Sequence, residues 1–553
     1  MKPIIYQVFT RLFGNRNTTR KEDGTIEENG CGKMNDFDSR VLRRIKEMGV
    51  THVWYTGIIR HATTTDYSAY GIPRQNPQVV KGRAGSPYAI TDYYDVDPDI
   101  ATDVDKRMQE FEALIERTHK AGLKVIIDFV PNHVARQYHS ICKPQGIKDL
   151  GEDDDPTKHF SVKNNFYYCW GQPLDLSGID SAPLTSAYTE TPAKATGNDQ
   201  FSCRPSRNDW YETVKLNYGV DYCDAGGRSE HFNPIPDTWH KMTDILLFWA
   251  HKGVDAFRCD MAEMVPAAFW YWATDKVKFA YPDIKFIGEV YNPAQYRNYI
   301  KAGFDWLYDK VGMYDSMRDI VCGKRPAGDI SYRWQETNDI SDHMLYFLEN
   351  HDEQRIASDF FVGDPMRAVP GFIVSLMLQS NPFMLYAGQE FGEAGMDAEG
   401  FSGKDGRTTI FDYWSVESIR RGFFSRQSLT SSQRELEAIY RYMLNLVNEE
   451  KALSDGDFFD LMYVNQHLAD NQFAFMRQKD DENMLIIVNF LGEPANCEIV
   501  IPNHAIDYFG IERKEYDVLD VFTGDIIHTG VFGEHSIGVV VAPYGARIFK
   551  MKV

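Results

Sequence analysis

The chain has 553 residues, a formal net charge of −21 and 14% aromatic residues, among them 10 Trp and 31 Tyr. At roughly 100 to 200 residues per domain that length implies two or more domains, and the negative balance argues against nucleic acid or an anionic membrane as partner, since both are polyanions. A neutral ligand stays open, and flat rings with polar edges suit the apolar faces and hydroxyls of sugars.

The first apolar run, Ile4-Ile5-Tyr6-Gln7-Val8-Phe9, reads as a strand, and Thr51-His52-Val53-Trp54-Tyr55-Thr56-Gly57 as a second. Apolar residues at three and four spacing predict a helix over 105–121, before a third strand over 124–130. From about 134 to 235 the helical period gives way to Gly, Pro, Asp and aromatic clusters such as Asn165-Phe166-Tyr167-Tyr168-Cys169-Trp170. That is too long for an ordinary loop and predicts a subdomain inserted after the third strand. Helices over 237–252, 265–279, 364–380 and 431–449 then alternate with strands over 254–258, 284–289, 303–307, 343–348 and 382–386. Eight strand and helix repeats predict an α/β fold, a (β/α)8 TIM barrel made of residues 1–133 and 236–451, with the subdomain at 134–235. After about 452 short alternating strands with turn signals predict a C-terminal all-β sandwich over 452–553.

No apolar run reaches the ~18 residues of a membrane span, and no signal-peptide pattern precedes residue 4, so a cytoplasmic protein is expected. The eight cysteines form no C-x-x-C pair. Reduced, mostly buried thiols are expected, with a disulfide or an irregular metal site left open for the four between 142 and 223.

Four predicted strands end in polar residues that a buried strand would not choose: Asp128 to His133 after the third, Arg258 and Asp260 at the fourth, Glu289 at the fifth, His351 and Asp352 at the seventh. On a barrel these ends meet at one mouth. A single acid there is most simply a helix cap or a surface charge, but three acids, an arginine and two histidines on four strand ends fit glycoside chemistry. One carboxylate attacks the anomeric carbon while a second donates a proton and later takes one back. Arg258 lies two residues before Asp260, on the same side of the strand, where its cation would keep that carboxylate ionised. Glu289 has no cation near it in sequence and is crowded by two acids, so its pKa is expected to rise. Spacing alone leaves nucleophile and acid interchangeable.

Asp-Phe-Val-Pro-Asn-His at 128–133, Gly-Val-Asp-Ala-Phe-Arg-Cys-Asp at 253–260, Ile-Gly-Glu-Val at 287–290 and Leu-Glu-Asn-His-Asp at 348–352 resemble the four signature regions of the α-amylase family, glycoside hydrolase family 13. The resemblance extends from Tyr6-Gln7-Val8-Phe9 to Ala542-Pro543-Tyr544-Gly545-Ala546, nearly the whole chain. It implies retaining hydrolysis of α-glucosidic bonds in starch, glycogen or malto-oligosaccharides, or, alternatively, transfer of glucosyl or maltosyl units to a sugar acceptor. By the same resemblance Asp260 is the nucleophile, Glu289 the acid/base and Asp352 the transition-state stabiliser. Tyr88, His133, Arg258 and His351 line the sugar pocket, with Tyr88 stacked on the sugar ring.

Departures from the pattern bear on specificity. Glu263-Met264 stands where many endo-acting amylases carry Lys-His, and Ala89 where exo-acting α-glucosidases often carry Asp. No required cofactor is expected, and a structural calcium is disfavoured. Calcium-binding relatives show Asp at the place of Lys33, where a cation would meet an ammonium; Asn132 is either a calcium ligand shared with the inserted segment, as in some relatives, or a hydrogen-bonding residue. Trp170, Trp210 and Tyr211 of that segment are either sugar platforms or local core.

Overall fold

The computed structural model describes residues 1–179, 187–514, 516–529 and 536–552, so residues 180–186 of the inserted segment and 530–535 of the C-terminal segment lie outside it. Eight parallel strands close into a barrel: β1 (Ile4–Phe9), β2 (His52–Thr56), β3 (Lys124–Phe129), β4 (Ala256–Cys259), β5 (Lys285–Gly288), β6 (Trp306–Tyr308), β7 (Met344–Phe347) and β8 (Phe383–Tyr386). All eight overlap predicted strands, the sixth by only Trp306 and Leu307 of the expected 303–307. Because side chains alternate along a strand, every strand sends apolar residues inward, and Ile5, Trp54, Ile126, Ala256, Ile287, Trp306, Leu345 and Met384 form one cluster inside the barrel.

Helices cover the outside. In α1 (Arg107–Lys120), Phe111, Leu114, Ile115 and Thr118 form the buried stripe, and three basic residues in the last turn suit the helix dipole. Gly122, at φ +74°, turns the chain into β3. The helices α2 (Asp237–His251), α3 (Ala267–Ala280), α4 (Asp329–Glu336), α5 (Val369–Met377) and α6 (Ser431–Glu449) follow, and α6 opens on a capping box between Thr430 and Gln433. Trp249 of α2 and Trp270 of α3 are fully buried, each contributing about 1.5 to 3 kcal/mol.

The segment after β3 leaves the barrel and comes back to it. His133–Ala135 pairs antiparallel with Thr213–Lys215, and the Leu216 N–H donates to the Asn132 carbonyl at 2.9 Å, so the outgoing and returning chains are tied at the barrel mouth. After β2, Ile59–His61 pairs with Ile90–Val96, which carries Tyr88 to the same mouth.

The C-terminal segment has a six-stranded antiparallel sheet of β9 (Asp457–Asp460), β10 (Gln472–Lys479), β11 (Glu482–Asn489), β13 (Tyr516–Asp520), β14 (Ile526–Thr529) and β16 (Ala546–Lys552) in the order β9-β10-β11-β16-β13-β14. β12 (Ala495–Val500) and β15 (Ser536–Val541) form a two-stranded ribbon whose Cys497, Ile499, Val539 and Val541 join the core. The predicted sandwich is thus one large sheet and a ribbon. No helix among the described residues is long and apolar enough to cross a membrane. All eight cysteines are free, but only Cys169, Cys259 and Cys497 are buried, and Cys142 and Cys223 are exposed. The expectation of mostly buried thiols fails: Cys142, Cys203 and Cys223 sit at exposed or half-buried positions of the inserted segment, and Cys31 and Cys322 at half-buried positions of the barrel.

Candidate active site

Arg258 organises the mouth. Its register sets it beside Asp128 of β3, and its guanidinium is fully buried among the rings of Trp54, Tyr88 and Tyr308, with centroids 5.2, 5.5 and 5.6 Å away. Nη1 donates to Asp260 Oδ1 at 2.8 Å and Nη2 to Glu289 Oε2 at 2.7 Å. One planar fork therefore holds both acids, and adjacent nitrogens bound their nearest oxygens to no more than about 8 Å apart. Sequence order joined Arg258 to Asp260 alone; the barrel curvature brings Glu289 of the next strand to the same cation, so the expectation that Glu289 lacks a cation does not hold.

Glu289 carries two further donors. The Met261 N–H reaches Oε2 at 2.8 Å, and the Tyr291 hydroxyl donates to Oε1. Met261 adopts a left-handed backbone, φ +44° and ψ +41°, which a methionine takes only at a cost of about 1 to 3 kcal/mol. Burial, opposed by Arg258 and reinforced by Glu289 and Asp352, pushes the Asp260 carboxyl well above the usual aspartate range. Arg258 therefore moderates, and does not by itself secure, the ionisation expected of Asp260.

Asp352 is oriented by Asn350, whose Oδ1 accepts from the backbone N–H of Asp352 and of Glu353, both at 2.9 Å. Burial would raise its pKa, but His351, with Nε2 3.0 Å from Oδ2, and Arg258 hold it at about 2. His351 also meets the Tyr88 hydroxyl at 2.5 Å through Nε2 and the Gln7 amide at 2.8 Å through Nδ1. His133 stands with Nε2 4.0 Å from Asp260 Oδ2. Burial, with Lys215 and Lys81 nearby, lowers its pKa to about 3, so it faces the cavity as a neutral imidazole.

These side chains share a cavity of about 240 Å³ lined by Tyr88, His133, Asp260, Glu289 and Asp352. Arg258 and His351 support it from behind. Sequence reasoning missed Tyr291, Lys81, Glu212, Ile410 and Phe411 in the same wall. Tyr291 lies two residues beyond Glu289 and was the one within reach of a motif argument; the others sit in loops far from any signature. Lys81 and Glu212 pair at 3.1 Å.

The three aromatics of the inserted segment divide. Trp210 lines the cavity, 5.2 Å from His133; Tyr211 is core, packed with Val79, Leu176 and Ile179; Trp170 is 69% exposed and away from the acids. Glu263 is a brace: its Oε2 accepts from the backbone N–H of Tyr291 and Asn292 at 2.9 and 3.1 Å, tying the loop after β4 to the loop after β5.

Cations of the chain stand near the two places where calcium was considered. Lys33 Nζ donates to the Asp99 carbonyl at 2.5 Å. Lys215 Nζ lies 2.7 Å from Asn132 Oδ1 and 2.6 Å from Asp199 Oδ1. Among the described residues one other group is close enough to hold an ion, Asp92, Asp95 and Cys142. There Arg60 already pairs with both aspartates at 3.3 and 3.0 Å, and Arg107 with Asp95 at 2.7 Å.

A parallel eight-stranded barrel with three acids and a buried arginine at the carboxyl ends of its strands defines a class, the barrel glycosidases. The family model for the α-amylase catalytic domain matches residues 7–427, and the chain belongs to the α-amylase family, whose members are glycoside hydrolases acting on α-glucans. It is 23% identical over 517 residues to α-amylase 3 of Dictyoglomus thermophilum, covering 88% of this chain and 84% of that protein. It is 20% identical over 551 residues to neopullulanase 2 of Thermoactinomyces vulgaris, covering 95% and 74%. Among solved structures, the α-amylase of Geobacillus thermoleovorans superposes with a TM-score of 0.65 at 19% identity over 100% of this chain and 98% of that one. A maltogenic α-amylase of Thermotoga neapolitana gives 0.63 at 20% identity over 100% and 99%.

Proposed function

We propose that the protein hydrolyses α-glucosidic bonds of starch, glycogen or malto-oligosaccharides with retention, through a covalent glycosyl-enzyme intermediate. The observation that carries this reading is the single guanidinium fork that holds Asp260 and Glu289 against one cavity. Asp260 attacks the anomeric carbon, Glu289 protonates the departing oxygen, and Glu289 then takes a proton from the incoming water. Asp352, kept ionised, accepts hydrogen bonds from the sugar hydroxyls, and neutral His133 completes the pocket. The Geobacillus α-amylase was solved with acarbose, and the similar AmyP with maltose and with maltotriose, ligands of the class expected here. Incubation with maltoheptaose is expected to give only shorter sugars; products longer than the donor would assign the protein to transfer instead.

Tyr88 supports the sugar ring. Tyr88→Ala is expected to lower kcat/KM per folded molecule roughly tenfold to hundredfold, the equivalent of the 1.5 to 3 kcal/mol of a buried aromatic face, while Tyr88→Phe keeps most activity. Equal losses in the two would place the effect in the hydroxyl bond to His351.

The residues do not fit a calcium ion at either considered place, because an ammonium already meets the oxygens that would hold it. We propose that Lys215 is the built-in cation joining β3 to the inserted segment. EDTA should then leave activity and melting temperature unchanged, whereas Lys215→Ala should cost about 1 to 3 kcal/mol of stability by leaving the buried Asn132 Oδ1 without its donor. A melting temperature that falls in EDTA and returns with calcium would refute this.

A further inference from the structure

A second, larger cavity, about 1010 Å³, lies between the barrel and the C-terminal sheet. Ser341 and Asp342 in its lining come just before β7, and Gln379 and Ser380 just before β8. It therefore opens at the amino-terminal ends of the strands, on the face of the barrel opposite the acids. Trp334 of α4 stands on the barrel side, and Phe458 and Phe459 of β9 on the sheet side. Trp334 Nε1 donates to Asp460 at 2.8 Å, which fixes the two sides together.

The chemistry of the groove is unlike a packing defect. Tyr463 and Tyr508 stand 51% and 57% exposed, with ring centroids 6.1 and 5.6 Å from that of Phe459, forming an open aromatic surface. Five aspartates, 329, 342, 457, 460 and 470, line the groove with no Lys or Arg among the described lining residues. Asp329 is paired with Arg325 at 3.3 Å and Asp460 accepts from Ser331, Trp334 and the Met462 N–H, which leaves Asp342, Asp457 and Asp470 as the groove's open carboxylates among the described residues. The nearby Arg477 is fully buried and bonded to oxygens of Met377, Ser380 and Gly456. Gln379 is 5% exposed, and its side-chain oxygen has no hydrogen-bond partner among the described residues. Phosphates, nucleic acids and acidic peptides are repelled by such a lining. A neutral ligand with apolar faces and many hydroxyl donors satisfies it, because rings take the faces while carboxylates and a carboxamide oxygen accept from the hydroxyls.

We propose that this groove is a second carbohydrate site that binds an α-glucan chain without cutting it. The choice of α-glucan rests on the activity of the family. Because the groove and the catalytic mouth face opposite ways, the chain held here is a different branch from the chain being cleaved. In a branched polymer the held branch raises the local concentration of its neighbours at the mouth.

The test uses full-length Asp260→Asn protein, which leaves the polymer intact, run through gels containing glycogen. Adding Tyr463→Ala and Tyr508→Ala is expected to weaken the apparent affinity for glycogen at least about tenfold. The same two substitutions in the active protein should leave maltotriose turnover at the parent rate, which also shows that the variant is folded. Undiminished retention in glycogen would overturn the proposal, as would retention by dextran sulfate in place of glycogen. Retention that the two tyrosine substitutions leave unchanged, together with normal turnover, refutes the groove alone, whereas tyrosine-dependent retention in a protein that cleaves no α-glucan supports the groove and refutes the proposed hydrolysis.

Discussion

Mixed with an α-glycosyl fluoride, the Glu289→Gln protein is expected to accumulate one covalent glycosyl unit on the peptide containing Asp260. Fluoride leaves without protonation, so the first step survives the loss of the acid, while the second stalls for want of a base. On a natural glucan the same variant should lose on the order of 10²-fold to 10⁴-fold in rate, or more. Asp260→Asn deletes the attacking oxygen and should give no adduct with either substrate. Mass spectrometry of the two proteins separates the roles that their shared guanidinium makes hard to distinguish by geometry. An adduct on Glu289 or Asp352 would reverse the assignment.

Arg258→Lys is the second large effect. Arginine meets Asp260 and Glu289 through two different nitrogens at 2.8 and 2.7 Å, and a lysine ammonium is a single point that cannot fork between them. One carboxylate would lose its cation, and breaking a buried pair costs about 3 to 5 kcal/mol; were that cost carried wholly into the transition state, kcat would fall roughly 10²-fold to 10⁴-fold. Activity per folded molecule, with folding checked by thermal unfolding, is the measurement. A lysine variant within threefold of the parent would show that charge alone, without the fork, suffices.

The barrel was legible because each strand is an apolar run bounded by turn residues, and the acids were legible because they break those runs at the carboxyl ends. Neither signal reaches the groups that support the acids. Tyr291 and Met261 act through a hydroxyl and a backbone N–H on Glu289, and nothing in a residue's identity announces where its N–H points. Lys215 was invisible for a different reason. It lies in a short strand whose partner is the segment just after β3, and only that pairing places its ammonium against Asn132. The inserted segment was recognised by loss of helical period, yet its three aromatics went three ways, since exposure there is decided by contacts made across loops.

The left-handed turn at Met261 also says something about how this chain would respond to redesign. A procedure that rewarded stability alone would replace that methionine with glycine, which adopts the same backbone without strain. The substitution would relax the one peptide whose N–H is aimed at Glu289, giving a protein that melts later and works more slowly. Stability and rate would then be opposed at that single residue, and the melting temperature and turnover of Met261→Gly measure that trade.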